Sequence, residues 1–207
     1  VQTAAFLAKI HHAKLVVVHV MESSTAIYHN FVRHFKTGEE IVANGAYKET
    51  VRKEIEQRCS RYLEDHDIIV TAGLPWEAIS KCARKQSADL IVLGPQEEGQ
   101  DHSGQPTVTE GTKSTTKGVI WSAHCPVMLV NGPVSEKKLL FKRIMVALDF
   151  SENCRYALQF AARVTPAPDA TRFVFHLKPC FREESRRDRE IYLADQKEQL
   201  ELYCQGI

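Results

Sequence analysis

An α/β fold on an open parallel sheet, with helices on both faces, is the class this sequence predicts, and three observations predict it. Short runs rich in Ile, Val and Leu recur at residues 14–20, 67–70, 88–94, 125–130, 142–148 and 171–177. Between several of them stand segments with apolar residues at spacings of three and four, as in Tyr47, Val51, Ile55, Cys59 and Tyr62. Strands that are apolar throughout are those buried on both faces of a parallel sheet, and amphipathic helices are the crossovers such a sheet needs. The third observation is a repeat: the opening pattern of the chain returns after residue 141.

The elements follow in order. Residues 2–12 read as a helix with Ala4, Ala5, Phe6, Leu7 and Ile10 on or near one face. Because Val1 already stands inside that pattern, the natural start is expected to lie upstream. Residues 14–20 form the first buried strand, ending in Val-Val-His-Val. Residues 22–44 carry little periodicity and read as an excursion with room for one short helix. Residues 45–65 are an amphipathic helix. After the strand at 67–70, Gly73 can take a positive φ. Pro75 suits the first turn of the next helix, where its missing N–H costs nothing. Trp76, Ile79, Cys82 and Ala83 give that helix, 76–87, its buried face.

Residues 95–106 are polar and read as an irregular loop. Thr107-Val108-Thr109-Glu110 has the form of a capping box, but Gly111 directly after it argues for a helix start near Ser114. Val119, Ile120 and Ala123 are expected to pack this helix on the sheet, with Trp121, like Trp76, in the core. After a Gly/Pro/Ser/Lys linker, residues 142–149 form a strand ending in Asp149. Ser151 is the expected N-cap of a helix reaching Val164, with Ala157, Leu158, Ala161 and Val164 buried. Phe-His-Leu at 175–177 matches Val-His-Val at 18–20, and residues 188–205 match the helix at 45–65.

Composition narrows the function. At 207 residues with 43% hydrophobic and 26% charged side chains, the chain is ordinary for a soluble globular protein. A net charge of +1 gives no reason to expect nucleic acid or an anionic membrane as partner. The dense charges at 182–190 alternate in sign and read as a solvated face. No apolar run approaches the ~20 residues that span a bilayer. The six cysteines include no C-x-x-C pair and fall mostly on apolar positions, so reduced thiols and a cytoplasmic location are expected. The histidines show no ligand spacing, and no nucleophile or metal set accompanies His19 or His176, so neither catalysis nor a metal site is expected. His19 and His176 read as strand-end histidines bonded to backbone.

Five stretches, in register, resemble the universal stress protein family. They are Val-Val-His-Val (17–20), the Gly73-x-Pro75 turn, Ala-Asp-Leu-Ile-Val-Leu-Gly (88–94), Cys-Pro-Val-Met-Leu-Val (125–130) and Val-Ala-Leu-Asp-Phe-Ser-Glu-Asn (146–153). The resemblance implies a five-stranded parallel sheet of the adenine nucleotide alpha hydrolase-like kind, here in tandem and truncated at both ends. Residues 1–131 would be a domain lacking its first strand, 132–141 a linker, and 142–207 the first part of a second domain. It also implies self-association, or pairing of the repeats, through Val127, Met128, Leu129 and Val130.

Members of the family that bind ATP or AMP resemble one another in an acid after the first strand and an apolar residue after the second-strand histidine. They also share a G-x-x-G-x9-G-[ST] loop, whose bare amides approach phosphate at a helix N-terminus. Carried over, Val20 takes the adenine-side position and Gly94 the first glycine. The second glycine position falls on Glu97, beside Glu98. The third falls on Lys113, with Ser114 on the hydroxyl position and Thr115 next to it. Gly99 and Gly111-Thr112 are shifted substitutes. Two carboxylates there would oppose a phosphate, by about 1 kcal/mol per charge pair at ~4 Å in water and several-fold more near a protein surface. Lys113 would attract it. In the second repeat, Asp149 and Leu177 match the base-side positions. The reading is a non-enzymatic stress-response protein acting by association, with a degenerate first pocket. An adenine-nucleotide sensor is the alternative, and a slow ATPase ranks last.

Overall fold

The computed structural model describes residues 1–23, 31–34, 37–62, 66–94, 99–100, 106–107, 110–132, 140–165, 170–176 and 186–205. The chain divides into two compact units, Val1–Glu136 and Lys137–Ile207. Unit 1 holds α1 (Gln2–His11), β1 (Leu15–Glu22), β2 (Phe31–Arg33), β3 (Glu40–Val42), α2 (Gly45–Cys59) and β4 (His66–Gly73). It continues with α3 (Pro75–Lys85), β5 (Ile91–Leu93), β6 (Gly99–Gln100), β7 (Pro106–Thr107), α4 (Glu110–Ser122) and β8 (Val127–Leu129). Unit 2 holds β9 (Arg143–Leu148), α5 (Glu152–Val164), β10 (Thr171–His176) and α6 (Arg186–Cys204).

The parallel α/β class stands. β1 runs parallel to β4, β5 to β8, and β9 to β10. Among the described residues these strands are bonded in pairs, and a single sheet of five is not seen. Two antiparallel ladders appear where the sequence showed no strand period. β2 pairs with β3 inside the 22–44 excursion, and β6 pairs with β7 inside the polar loop. The short helix allowed for 22–44 is absent among its described residues.

Each core joins a strand pair to its helices. Met21, Val32 and Val51 pack with Ile41, Tyr47, Ile55, Val70 and Ala72, so α2 and the β2–β3 hairpin share one core with β1 and β4. Burying a side chain of this size contributes ~1.5–3 kcal/mol. Ala83, Ile91 and Val119 form the second core, lined by Trp76, Ile79, Leu93, Ala123, Cys125 and Val127. In unit 2, Val146, Leu148, Leu158 and Ala161 pack with Ile144, Leu200 and Tyr203. No helix among the described residues is long and apolar enough to cross a membrane, and the five described cysteines are free.

Several expectations need correction. Helix α4 begins at Glu110, not near Ser114. The cost of Gly111 in a helix, about 1 kcal/mol, is of a size that tertiary packing of the helix overrides. Trp121 is 81% exposed and Ile120 is 53% exposed. Val119 holds the core side of α4, with Ala123 packed just past its end, and the two residues after Val119 turn outward. Ala157, Ile10 and Tyr62 are likewise exposed. Helix α2 ends at Cys59, so Tyr62 falls beyond its periodic face.

Helix α3 meets α4 at close range. A Cβ added to Gly118 would lie 2.6 Å from Trp76 Cγ and 2.7 Å from Trp76 Cβ, distances that real contacts do not reach. The Ser80 and Ser122 hydroxyls pair at 2.6 Å beside this contact, and Arg84 Nη2 donates to the Ser122 carbonyl at 3.0 Å. Gly118→Ala is therefore expected to destabilise unit 1 by about 1–3 kcal/mol through overpacking. In a Trp76→Ala background the same change should become neutral or stabilising, because helical alanine is then unopposed. Urea titration followed by the fluorescence of Trp121 in both backgrounds checks this, and equal costs in the two would remove Trp76 as the cause.

Candidate functional site

The carboxyl ends of parallel strands are where an open α/β sheet receives a ligand. In unit 1, Val20 lies near the end of β1, half-buried and opposite Thr71. Beside it, burial lowers the pKa of His19, which favours the neutral ring at pH 7. Gly73 closes β4 at φ 138°, a conformation reserved for glycine, and lets the chain turn into Pro75 at the start of α3. Gly94, just past β5, is exposed, and a Cβ there would meet nothing within 4 Å.

The other expected contacts are distributed differently. Gly99 stands in β6 opposite Thr107. Lys113 and Ser114 lie within the first turns of α4, not in a loop before it, and their side chains are outside the described set. Thr115 follows in the same helix and is partly buried. Glu97, Glu98 and Leu177 lie outside the described residues. Val20, Gly94, Gly99 and Thr115 belong to unit 1 and Asp149 to unit 2, so the candidate residues are two half-sites, each on its own unit.

Asp149 has the fullest surroundings. It leaves β9 and precedes α5, and its Oδ1 accepts from the Cys154 thiol at 2.9 Å and from the Ser151 N–H at 2.9 Å. Ser151 caps α5, its Oγ accepting from the Cys154 N–H at 3.4 Å, as its place before the helix suggested. The Cys154 thiol first, then Ser151, hold the Asp149 carboxyl well below the ordinary carboxylate range. Between Asp149 and Ser151, Phe150 adopts φ 63°, unusual for a bulky residue. Its ring lies 4.6 Å from that of His176 and 5.8 Å, edge-on, from that of Tyr203. The Tyr203 hydroxyl donates to the Ser151 carbonyl at 2.5 Å, and the Arg155 guanidinium sits 5.3 Å from the Tyr203 ring.

His176 Nδ1 lies 2.9 Å from the Leu148 carbonyl. A carbonyl only accepts, so Nδ1 carries the proton and the ring is held by backbone, as expected for a strand-end histidine. Sequence reasoning missed Cys154, Phe150, Arg155 and Tyr203. The spacing of three from Ser151 to Cys154 was a readable cap signal. The approach of Tyr203 from the far end of α6 had none.

A depressed carboxyl pKa contributes stability that is complete above the unfolded value of ~3.9 and is lost as pH falls toward the folded value. Asp149→Asn should therefore lower the urea midpoint of unit 2 at pH 5–7, with the gap to wild type closing below pH ~4. A gap that stays constant with pH would show that the Asp149 charge is not involved.

Comparisons with known proteins place this geometry. No curated protein matches significantly. A universal stress protein from Archaeoglobus fulgidus DSM 4304 is similar over 96% of this chain and 68% of its own, at 17% identity and a TM-score of 0.56. That likeness bears on the fold alone. A universal stress protein solved in complex with cAMP covers 62% of this chain and 84% of its own at 16% identity, but its TM-score of 0.39 carries no argument. The profile of the universal stress protein family matches residues 1–131 and 140–206. With both segments of the profile accounting for nearly all of its length, the chain belongs to the universal stress protein family.

Proposed function

We propose that this chain serves the stress response by associating with protein, without catalysis, and that the nucleotide pocket of its first repeat is degenerate. The observation that supports association is the edge of β8. Among the described strands β8 pairs only with β5, and Leu129 on it is 46% exposed. An open edge offers unpaired N–H and C=O groups to a further strand, and an exposed leucine adds apolar area to that pairing. Self-association of two copies through Val127, Met128, Leu129 and Val130 is the form proposed. A cytoplasmic location accords with the free cysteines.

The hydrogen bonds of β8 supply a clean test. Ile91 N–H donates to the Pro126 carbonyl at 3.0 Å and Val130 N–H to the Leu93 carbonyl at 2.9 Å. The alternation of a parallel ladder then turns the Leu129 N–H away from β5, to the open side. Proline is tolerated on an edge when its missing N–H faces outward. Leu129→Pro is expected to abolish concentration-dependent association in sedimentation velocity while leaving the far-UV circular dichroism of unit 1 intact. An unchanged sedimentation profile would exclude β8 as the contact.

The second reading, an adenine-nucleotide sensor, draws on the open space at Gly94 and on the acid at Asp149. Against it, Asp149 is already bound by the Ser151 N–H and the Cys154 thiol, and in the sequence Glu97, with Glu98 beside it, takes the position where the family places a glycine. Calorimetric titration of the full chain with ATP and AMP is expected to show no saturable heat. Saturable binding that Asp149→Ala reduces would favour the sensor instead, and a slow ATPase would need phosphate release abolished by Ser114→Ala.

A further inference from the structure

Helix α3 closes in a Schellman motif with serine where glycine is customary. The Ala88 N–H donates to the Ala83 carbonyl at 2.9 Å and the Ser87 N–H to the Arg84 carbonyl at 3.1 Å. Ala83 is buried and Ala88 packs against the same core, the apolar contact that accompanies such a cap. Ser87 itself takes φ 50° and is exposed. The left-handed region costs a side-chain-bearing residue about 1–2 kcal/mol, a penalty glycine escapes. A residue held against its backbone preference at the surface points to a use for its side chain.

The neighbours of Ser87 indicate that use. Arg84 stands three positions before it and Lys85 two, both exposed in the last turn of α3. Arginine followed by a second base at those positions is the charge pattern by which basic-directed serine kinases select a hydroxyl. Arg84 is also engaged across the helix pair. Its Nη2 donates at 3.0 Å to the carbonyl of Ser122, the last residue of α4. A guanidinium there satisfies one of the carbonyls that a helix end leaves without an intrahelical partner. The bond lies beside the Ser80–Ser122 hydroxyl pair, one turn from the close approach of Trp76 to Gly118.

We propose that Ser87 is a phosphorylation site for a basic-directed serine kinase, and that the phosphate draws Arg84 away from α4. In the transfer, Ser87 Oγ attacks the γ-phosphorus of ATP and its proton passes to the kinase's base. The bond to the ADP oxygen breaks as the new P–O bond forms, and ADP leaves. The product carries about −1.5 to −2 charges at pH 7, at the end of α3 where the helix dipole opposes a negative group. A cation is needed beside it, and Arg84 stands in the same turn. Charge-assisted bonds from arginine to phosphate are roughly twice as strong as those to a neutral carbonyl, so the guanidinium leaves Ser122 for the phosphate. The α3–α4 contact then loses its Arg84 tie. This site does not depend on association through β8.

The full chain is treated with magnesium-ATP and the catalytic subunit of cyclic AMP-dependent protein kinase, and the phosphate is located by peptide mass spectrometry. Phosphate on Ser87 is expected. It should be absent from Ser87→Ala and enter about tenfold or more slowly in Lys85→Gln, which keeps the Arg84 bond. Leu129→Pro should be modified at the wild-type rate. The structural half is read in Trp121→Phe, which leaves Trp76 as the one remaining tryptophan of the two in the chain. Phosphorylation is expected to red-shift Trp76 emission and lower the urea midpoint, and Arg84→Gln without phosphate should do the same. Unchanged circular dichroism of each variant verifies folding. Phosphate on other residues alone, or on none, overturns the site, as do equal rates for wild type and Lys85→Gln. Phosphate on Ser87 that leaves both Trp76 emission and the midpoint unmoved overturns the release of Arg84.

Discussion

The indole of Trp76 lies where Gly118 has no side chain, and this close approach of α3 to α4 decides how the strands of unit 1 are covered. Ala83 and Val119, on the facing sides of the two helices, then reach the same core as Ile91 and Val127. Because α3 also packs on β1 and β4, one helix holds both parallel pairs of unit 1 against a common layer. A parallel strand has two faces to keep from water, and covering the second face is work for helices alone. Where that covering exists, as over Ile91 and Val119, the interior is closed. On the other face of β9 and β10, Met145, Phe173 and Phe175 are exposed.

The chemistry at the strand ends follows from how local groups have already been used. Asp149 Oδ1 is bound by the Ser151 amide and the Cys154 thiol, in the turn just before the capping residue of α5. Hydrogen bonds to the charged form, from Cys154 first and then from Ser151, explain the depressed pKa, with no basic side chain required. Phe150, tilted against His176 and edge-on to Tyr203, sits in the turn beside this carboxylate. In unit 1, a Cβ at Gly94 would meet nothing within 4 Å among the described residues. The two units therefore differ in local chemistry, although each carries a helix before a strand that contains a histidine.

What could be read from residues alone was considerable. Continuous apolar runs marked β1, β4, β5, β8, β9 and β10, because the strands of a parallel α/β sheet are rich in Val, Ile and Leu. Gly73, Pro75 and Ser151 announced the turn, the first helical turn and the cap by backbone chemistry that acts within a few residues, and each is found in that role. The hydrogen bond from His176 to backbone was readable from its place at a strand end. The β2–β3 hairpin was not, since its strands are three residues each and too short to show a period.

Sequence by itself determined the class of fold, the family, the places of its parallel strands along the chain and local signals at their ends, because all of these rest on side-chain type and short spacing. Tertiary structure alone decided that Trp121 and Ile120 look outward while Val119 is sealed, that Tyr203 reaches Ser151, and that one face of β9 and β10 stays bare. The reason is physical. Periodicity states which residues share a face, whereas burial depends on a second element arriving over that face, and that arrival is settled by contacts between segments far apart in the chain.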